Sequence, residues 1–137
     1  MEYSEDKNTK NELIEAFNAH ILEFIRDIMS VYPDDINIQI TKTAAYAASI
    51  VNPKIMIRSW RDTVVKPYMD EIGRGELDFF IDKNYDNDLQ YLDDDKKAKS
   101  IMKGINNLRE PIKKMTEQNK NKSMKYVQNL TKLANMY

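Results

Sequence analysis

The feature that most constrains this chain is a run of apolar residues near its start, spaced three or four apart. The run consists of Leu13, Phe17, Ile21, Phe24, Ile28 and Val31. Residues at that spacing share one face of a helix, so the run predicts an amphipathic helix from about Thr9 to Tyr32. Pro33 and the aspartates after it predict a turn, because the residue before a proline is pushed out of helical geometry and an aspartate can cap the next helix.

Two patterns compete in the segment that follows the turn. Ile36, Ile38 and Ile40 alternate as they would in a strand, whereas a second set continues at helical spacing. The second set is Ile40, Ala44, Ala48 and Val51. Alanine has the highest helix propensity, and its small side chain lets a helix approach a neighbour closely. We therefore predict a second helix that packs tightly against another element.

Proline and glycine positions divide the middle of the chain. Asn52-Pro53 predicts an N-cap followed by proline at the first position of a third helix. The inward stripe of this helix is predicted to be Met56 or Ile57, Trp60 and Val64. Pro67 is expected to end or kink the helix near Val65. Gly73-Arg74-Gly75 predicts a turn, and a polar, acidic loop is expected over residues 82–95.

The C-terminal region, residues 96–137, carries a seam at heptad spacing. Its members are Ile101, Ile105, Leu108, Ile112 and Met115, and the pattern resumes at Tyr126, Leu130, Leu133 and Tyr137. Pro111 interrupts the first half, and the polar residues 119–122 are poor seam residues. The alternatives are a helical hairpin that turns near Asn119 and one long, kinked helix, and the hairpin is preferred.

Composition limits the fold class and the setting. A chain of 137 residues with 42% hydrophobic residues is long enough for one core and too short for two ordinary domains. We predict a single all-α domain, residues 1–137, built as a bundle of about five to seven helices. No apolar run approaches the roughly 20 residues of a membrane span. The polar start and the absence of cysteine lead us to expect an intracellular protein without disulfides.

The net charge of −1 hides a strong asymmetry. Residues 70–95 contain ten acidic and two basic residues, whereas residues 96–137 contain eleven basic and two acidic residues. Two interpretations are open. In the first, the two segments neutralise each other in the fold or remain solvated faces. In the second, the basic helices bind an acidic partner. A nucleic-acid interface would use Lys113, Lys114, Lys120, Lys122, Lys125 and Lys132. Because lysines dominate over arginines, such binding is expected to be non-specific.

Few residues are suited to catalysis. His20 is the one histidine, and it lies beside the apolar stripe of the first helix, where a structural role is expected. Aspartates 34–35 and 93–95 each precede a predicted helix, so capping explains them. Residues 82–93 partly match a calcium-binding EF-hand loop, with Asp82, Asn84 and Asp86 at its first ligand positions. However, Asn87 replaces the loop glycine and Asp93 replaces its final glutamate, so calcium is a minor alternative.

Three stretches of the chain resemble known proteins. They are NPKIMIRSW from Asn52, PYMDEIGRGELDFFIDKNY from Pro67 and MKYVQNLTKLANMY from Met124. They resemble a group of small uncharacterised helical proteins of large double-stranded DNA viruses that infect algae and protists, the nucleocytoplasmic large DNA viruses. The resemblance implies a viral setting, in which the chain is a minor capsid protein, another virion component or a factor in the host cytoplasm. It transfers no functional residue.

The function expected from these features is non-enzymatic, with no cofactor and no metal. We expect a virion-associated helical component that binds other proteins or itself. The predicted partner-binding residues lie at the C-terminal end, where apolar side chains exceed what a frayed tail needs. They are Tyr126, Leu130, Leu133 and Tyr137. The alternatives are non-specific nucleic-acid binding by residues 96–137 and, less favoured, a calcium-binding module at residues 82–93.

Overall fold

The computed structural model describes residues 2–83, 86–92 and 95–137, and every regular element in these ranges is helical. The α-helices are α1 Glu2–Val31, α2 Ile36–Val51, α3 Ile55–Trp60, α4 Lys66–Gly73, α5 Leu77–Asp82, α6 Lys96–Asn107, α7 Arg109–Lys113 and α8 Glu117–Met136. A π-helical turn, Arg61–Val65, joins α3 to α4, and Leu108 alone separates α6 from α7. The described chain therefore forms six continuous α-helical units and one 3₁₀ helix, and the prediction of an all-α bundle is confirmed.

Helix α1 forms the centre of the bundle, and α8 runs antiparallel along it. Lys122 Nζ lies 2.7 Å from Asp27 Oδ1, whereas Tyr137, fifteen residues later, lies against Lys10 at the other end of α1. The predicted stripe of α1 is confirmed from Phe17 to Ile28, all four members of which are buried. Val31, the last residue of the helix, is 39% exposed, so the stripe does not stay buried to its end.

The third helical unit follows its predicted stripe, and Met56, Ile57, Trp60 and Val64 are all buried. Its start differs from the prediction, because Asn52 ends α2 by donating its N–H to Ala48 O, and α3 begins only at Ile55. The effect expected of Pro67 is present. The π-helical turn ends at Val65, two residues before Pro67, and Tyr68 directly after it has non-helical backbone angles, φ −132° and ψ 15°.

The acidic loop is more ordered than predicted. A 3₁₀ helix, Asp86–Leu92, occupies its middle, and Leu89 and Leu92 are buried in the core. Two hydrophobic anchors therefore fix this polar segment to α6, against which the 3₁₀ helix packs. The predicted turn at residues 73–75 is confirmed, and Gly75 adopts φ +72°, a conformation that favours glycine.

The chain ends in two helical units, and the prediction of two units instead of one long helix is confirmed. The turn between them covers residues 114–116 and not Asn119, because Thr116 forms the N-cap of α8. Its hydroxyl accepts a hydrogen bond from the N–H of Asn119. Seam residues Ile105, Leu108, Ile112 and Met115 are buried, and Ile101 is half-buried.

A candidate interaction surface on helix α2

Local hydrogen bonds explain why the segment after Pro33 is a helix despite its alternating isoleucines. Asp35 caps the start of α2, and its Oδ1 accepts hydrogen bonds from the N–H groups of Asn37 at 2.9 Å and Ile38 at 3.2 Å. The hydroxyl groups of Thr41 and Thr43 each donate to the carbonyl oxygen four residues earlier. The cap satisfies N–H groups at the start of the helix, and the bonds to the carbonyl oxygens satisfy the two hydroxyl groups.

The inner face of α2 consists mainly of small side chains. Ile38, Ala45 and Ala48 are its buried residues, and the helix packs against α1, α3 and α6. The approach to α6 is close at Gly104, where an added Cβ would lie 3.2 Å from Thr41 Oγ1. This close approach is made by Thr41, and of the alanine cluster Ala45 and Ala48 lie buried on the inner face. The helix predicted from the spacing of Ile40, Ala44, Ala48 and Val51 is confirmed, and of these four residues only Ala48 is buried.

The opposite side of α2 is an exposed apolar surface, which we call the outer face. It comprises Ile36, Ile40, Thr43, Ala44, Ala47, Ile50 and Val51, which share one side of the helix. Its four large residues are 67%, 60%, 63% and 75% exposed, for Ile36, Ile40, Ile50 and Val51 respectively. In the described part of the chain, five of the eight exposed large apolar residues lie on α2, since Tyr46 adds a fifth at the edge of this face.

The charges around the outer face are few and sit at its ends. Lys42 is the one charged residue in α2, and it is half-buried and outside the spacing of the outer face. Asp34 and Asp35 precede the helix, and exposed Lys54 follows it. A helix that is apolar all round is normally buried on all sides. An exposed apolar strip with charges at its two ends is typical of a surface that binds a partner.

Two grooves run beside α2. The first has a volume of about 550 Å³ and separates the N-terminal half of α2 from α6 and α7, with Ile40, Thr41 and Gly104 in its lining. The second has a volume of about 630 Å³, lies between α1 and the C-terminal end of α2, and contains Val51 and Asn18 in its lining. The outer face is therefore a ridge between two depressions, which can accept side chains of a bound protein.

The partner-binding residues predicted at the C-terminal end are packed against this chain instead. Leu130 is 0% exposed and belongs to the core, so its predicted role as a partner contact is wrong. Leu133 is half-buried against the same core. The physical reason is that the apolar seam of α8 faces α1 and the π-helical turn, both of which pack directly on it.

The two tyrosines of that predicted set also contact their own chain. The Tyr137 ring lies between Lys10 and Arg61, with the cations 5.5 and 5.4 Å from its centroid, and its hydroxyl accepts a hydrogen bond from Arg58 Nε at 3.2 Å. The Tyr126 ring stacks on Phe24 with centroids 5.3 Å apart. A partner contact by these two side chains stays a prediction for the parts that remain exposed.

The environment of Tyr126 changes its proton affinity. Burial of the ring raises the pKa of the Tyr126 hydroxyl, and the carboxylates of Glu23 and Asp27 raise it further. The neighbouring Lys122 donates a hydrogen bond to Asp27, which raises the pKa of the Lys122 ammonium group. These groups tie α8 to α1 and form a polar border along the seam between them.

The six lysines of the predicted nucleic-acid interface fall into two groups. Lys122, Lys125 and Lys132 are exposed and lie on one stripe of α8, at steps of three and seven residues. The structure does not bring the remaining lysines onto that stripe. Lys113 lies 3.6 Å from Asp82 and 3.8 Å from Glu110, Lys114 lines the groove beside α2, and Lys120 lies 3.4 Å from Glu117.

The acidic and basic segments are neighbours in the fold, in line with one of the two interpretations of the charge asymmetry. Helix α5 packs against α7 and α8, and the 3₁₀ helix packs against α6. Lys113 and Asp82 form an ion pair between the two segments, and Arg109 Nη1 donates to the carbonyl oxygen of Lys83. Part of the positive charge of residues 96–137 is therefore offset within the protein.

His20 and the calcium-like loop offer limited chemistry. His20 Nδ1 lies 3.9 Å from Glu23 Oε2, its ring packs on Tyr126 at 5.0 Å, and its buried Nε2 has no hydrogen-bond partner. Within residues 2–83, 86–92 and 95–137, no group of three or more acidic or histidine side chains could hold a metal ion. Asn84 and Asp93 of the EF-hand match lie outside the described residues, so calcium binding stays a prediction.

The signal for the outer face is present in the sequence. Residues 36–51 contain a single charged residue, although the chain as a whole is 31% charged, and apolar residues occur on both sides of the helix. Among the described residues, no helix is both long and apolar enough to cross a lipid bilayer. No family model, curated protein or solved structure matches this chain.

Proposed function

We propose that this chain is a non-enzymatic interaction protein that binds another protein through the outer face of α2. One observation carries the proposal, namely four large aliphatic side chains that are each at least 60% exposed on one face of a single helix. Fully burying such a side chain is worth about 1.5–3 kcal/mol. A partner that covers this face therefore removes from water the aliphatic side chains that the fold of the single chain leaves exposed.

The nature of the surface supports a protein partner. The outer face contains no charged residue and its polar group, the hydroxyl of Thr43, already donates to Gln39 O. A partner can therefore cover the face without desolvating a charge or breaking a hydrogen bond. In the viral setting that the resemblance implies, we propose that the partner is a virion protein or a second copy of this chain, which would make the chain a minor capsid-type component.

The experiment is cross-linking mass spectrometry on the protein in its native source, using the wild type, Ile40→Glu and Met136→Glu. We expect cross-links from α2 to a partner in the wild type and their loss in Ile40→Glu, because a buried, unpaired charge is strongly unfavourable at an interface. Met136 is a matched control, since it is 62% exposed but lies on α8. Equal cross-linking by all three proteins would contradict the proposal.

A second function is favoured by the exposed Lys125 and Lys132 on one stripe of α8, whereas Lys122 of the same stripe already pairs with Asp27 at 2.7 Å. As the alternative to protein binding through α2, we propose that this stripe binds phosphate groups of nucleic acid without sequence specificity. Neutralisation of two phosphates, by Lys125 and Lys132, predicts that the logarithm of the binding constant falls with the logarithm of salt concentration with a slope of about −2 on duplex DNA. Binding unaffected by Lys125→Glu and Lys132→Glu would contradict this alternative.

A further inference from the structure

We infer that the outer face of α2 binds the same face of a second copy of this chain, with the two helices antiparallel about a twofold axis near Thr43 and Ala44. This inference rests on the proposed function and names its partner. A twofold interface requires that every contact be made twice, so the same surface must complement itself. The sequence of residue sizes along α2 meets this requirement.

Small residues lie in the middle of the outer face and large ones at its ends. Thr43, Ala44 and Ala47 allow two helix backbones to approach closely, since the interaxial distance depends on the side chains at the contact. An axis midway between residues 43 and 44 places Ile36 of each copy beside Val51 of the other. The same axis places Ile40 beside Ala47, so a large side chain meets a small one.

The charges at the ends of α2 select the antiparallel orientation. Asp34 and Asp35 lie at the N-terminal end, and Lys54 lies just beyond the C-terminal end. Two antiparallel copies bring each aspartate pair next to the lysine of the other copy, whereas parallel copies bring like charges together. The antiparallel arrangement also sets the positive end of each helix dipole beside the negative end of the other. A second copy of this chain thus supplies both the apolar and the charged complement.

The size of the face sets the expected affinity. Sixteen residues give α2 a length of about 24 Å, and the helix is about 10 Å wide. The face is therefore smaller than the roughly 800 Å² per partner of a standard stable interface. Side chains that enter the flanking grooves extend the contact. We expect a reversible dimer with a dissociation constant on the order of 10 µM.

Sedimentation equilibrium of the full chain tests the association. The wild type should change from monomer to dimer as its concentration rises from about 1 to 300 µM. Ile40→Glu should weaken the dimer at least about tenfold, whereas Met136→Glu should leave it unchanged. Circular dichroism checks that both variants remain helical. A wild type that stays monomeric over this range, or an equal loss in both variants, would overturn the inference.

Cysteine cross-linking tests the orientation, because the chain contains no cysteine of its own. With an added oxidant, Ala44→Cys should form a covalent dimer with itself, since two residues at the axis meet disulfide geometry. Ile36→Cys should not link to itself but should link to Val51→Cys when the two proteins are mixed. Efficient self-linking of Ile36→Cys, without linking to Val51→Cys, would show a parallel pair and overturn the antiparallel arrangement.

Charge reversal tests the role of the end groups. Asp34→Lys alone should weaken the dimer about two- to fivefold, as expected for exposed ion pairs, and adding Lys54→Asp should restore it. The outcomes also separate this inference from the proposed function. A protein that stays monomeric but loses a cross-linked partner on Ile40→Glu contradicts only self-association. A wild type that stays monomeric and whose cross-links are unchanged in Ile40→Glu contradicts both self-association and partner binding through α2.

Discussion

Helices α2 and α8 are both surface helices that bury one side, but their exposed sides differ in chemistry. The exposed side of α8 carries Lys122, Lys125 and Lys132, which water solvates well. The exposed side of α2 carries aliphatic residues, of which Val51 is the most exposed at 75%. Apart from the exposed Met136 at its end, the large apolar residues of α8 pack against the rest of the chain, whereas α2 has four large aliphatic residues that do not.

This difference shows how an interface can be recognised in a small helical protein. A stripe at helical spacing identifies the side that packs on the core, and on α8 that side contains Leu130. An interface is indicated by a second apolar stripe on the opposite side of the same helix, as on α2. Spacing alone does not distinguish a stripe that meets the core from one that meets a partner, so the partner contacts predicted on α8 fell on the side that packs on the core.

The largest expected effect compares one truncation on each helix. Leu130→Ala should lower the free energy of unfolding by about 2–5 kcal/mol, because it removes a fully buried side chain and leaves a cavity. Ile40→Ala should change it by less than about 0.5 kcal/mol in the monomer, because Ile40 is mostly exposed. Urea unfolding at low micromolar concentration measures both. Similar losses in the two variants would mean that the distinction between these helices is incorrect.

A smaller effect is expected from replacing a threonine hydroxyl on each helix. Thr131→Val should cost about 1–3 kcal/mol, because Trp60 Nε1, which donates to Thr131 Oγ1 at 3.1 Å, would lose its partner inside the core. Thr43→Val should cost less than about 0.5 kcal/mol, since the hydroxyl of Thr43 bonds only within exposed α2. Thermal unfolding of both variants checks the pair. A neutral Thr131→Val would show that the Trp60 bond contributes little.

The smallest effect concerns alkaline pH and the seam between α8 and α1. The pKa of Tyr126 is raised in the folded state, first by burial and then by Glu23, so the folded state holds this proton more tightly than the unfolded state does. Its contribution to stability is therefore complete at neutral pH and lost as the pH rises through the range in which tyrosine ionises, about pH 10. Unfolding measured from pH 8 to 11 should show a shallower decline in Tyr126→Phe than in the wild type. An identical decline in the stability of the two proteins would mean that ionisation of Tyr126 does not contribute to the loss of stability at alkaline pH.

Much of the fold could be predicted from spacing alone. Phe17, Ile21 and Phe24 identify the inner side of α1 because the outer side of that helix is polar. The helix boundaries were less accurate where a competing group forms the cap. Asn52 ends α2 instead of starting α3, and Thr116 starts α8 before the expected turn.

The candidate interface could not be predicted in the same way. Both sides of α2 are apolar, so periodicity does not say which side meets the core. The inner side consists of Ile38, Ala45 and Ala48, which are buried where α2 packs against α1, α3 and α6. Which side is buried therefore depends on these other helices. The low charge of residues 36–51 was the available signal, and it indicates an unusual surface without indicating which side carries it.

The small inner face of α2 has a consequence for its dynamics. One isoleucine and two alanines are the buried residues of the helix, whereas α8 buries six residues, including Met124 and Leu130. Local opening of α2 should therefore require less free energy than global unfolding, and its amide hydrogens should exchange before those of α8. A bound protein would oppose this opening, by about 2.7 kcal/mol at one hundred times its dissociation constant. Hydrogen exchange in α2 would then report whether its outer face is covered.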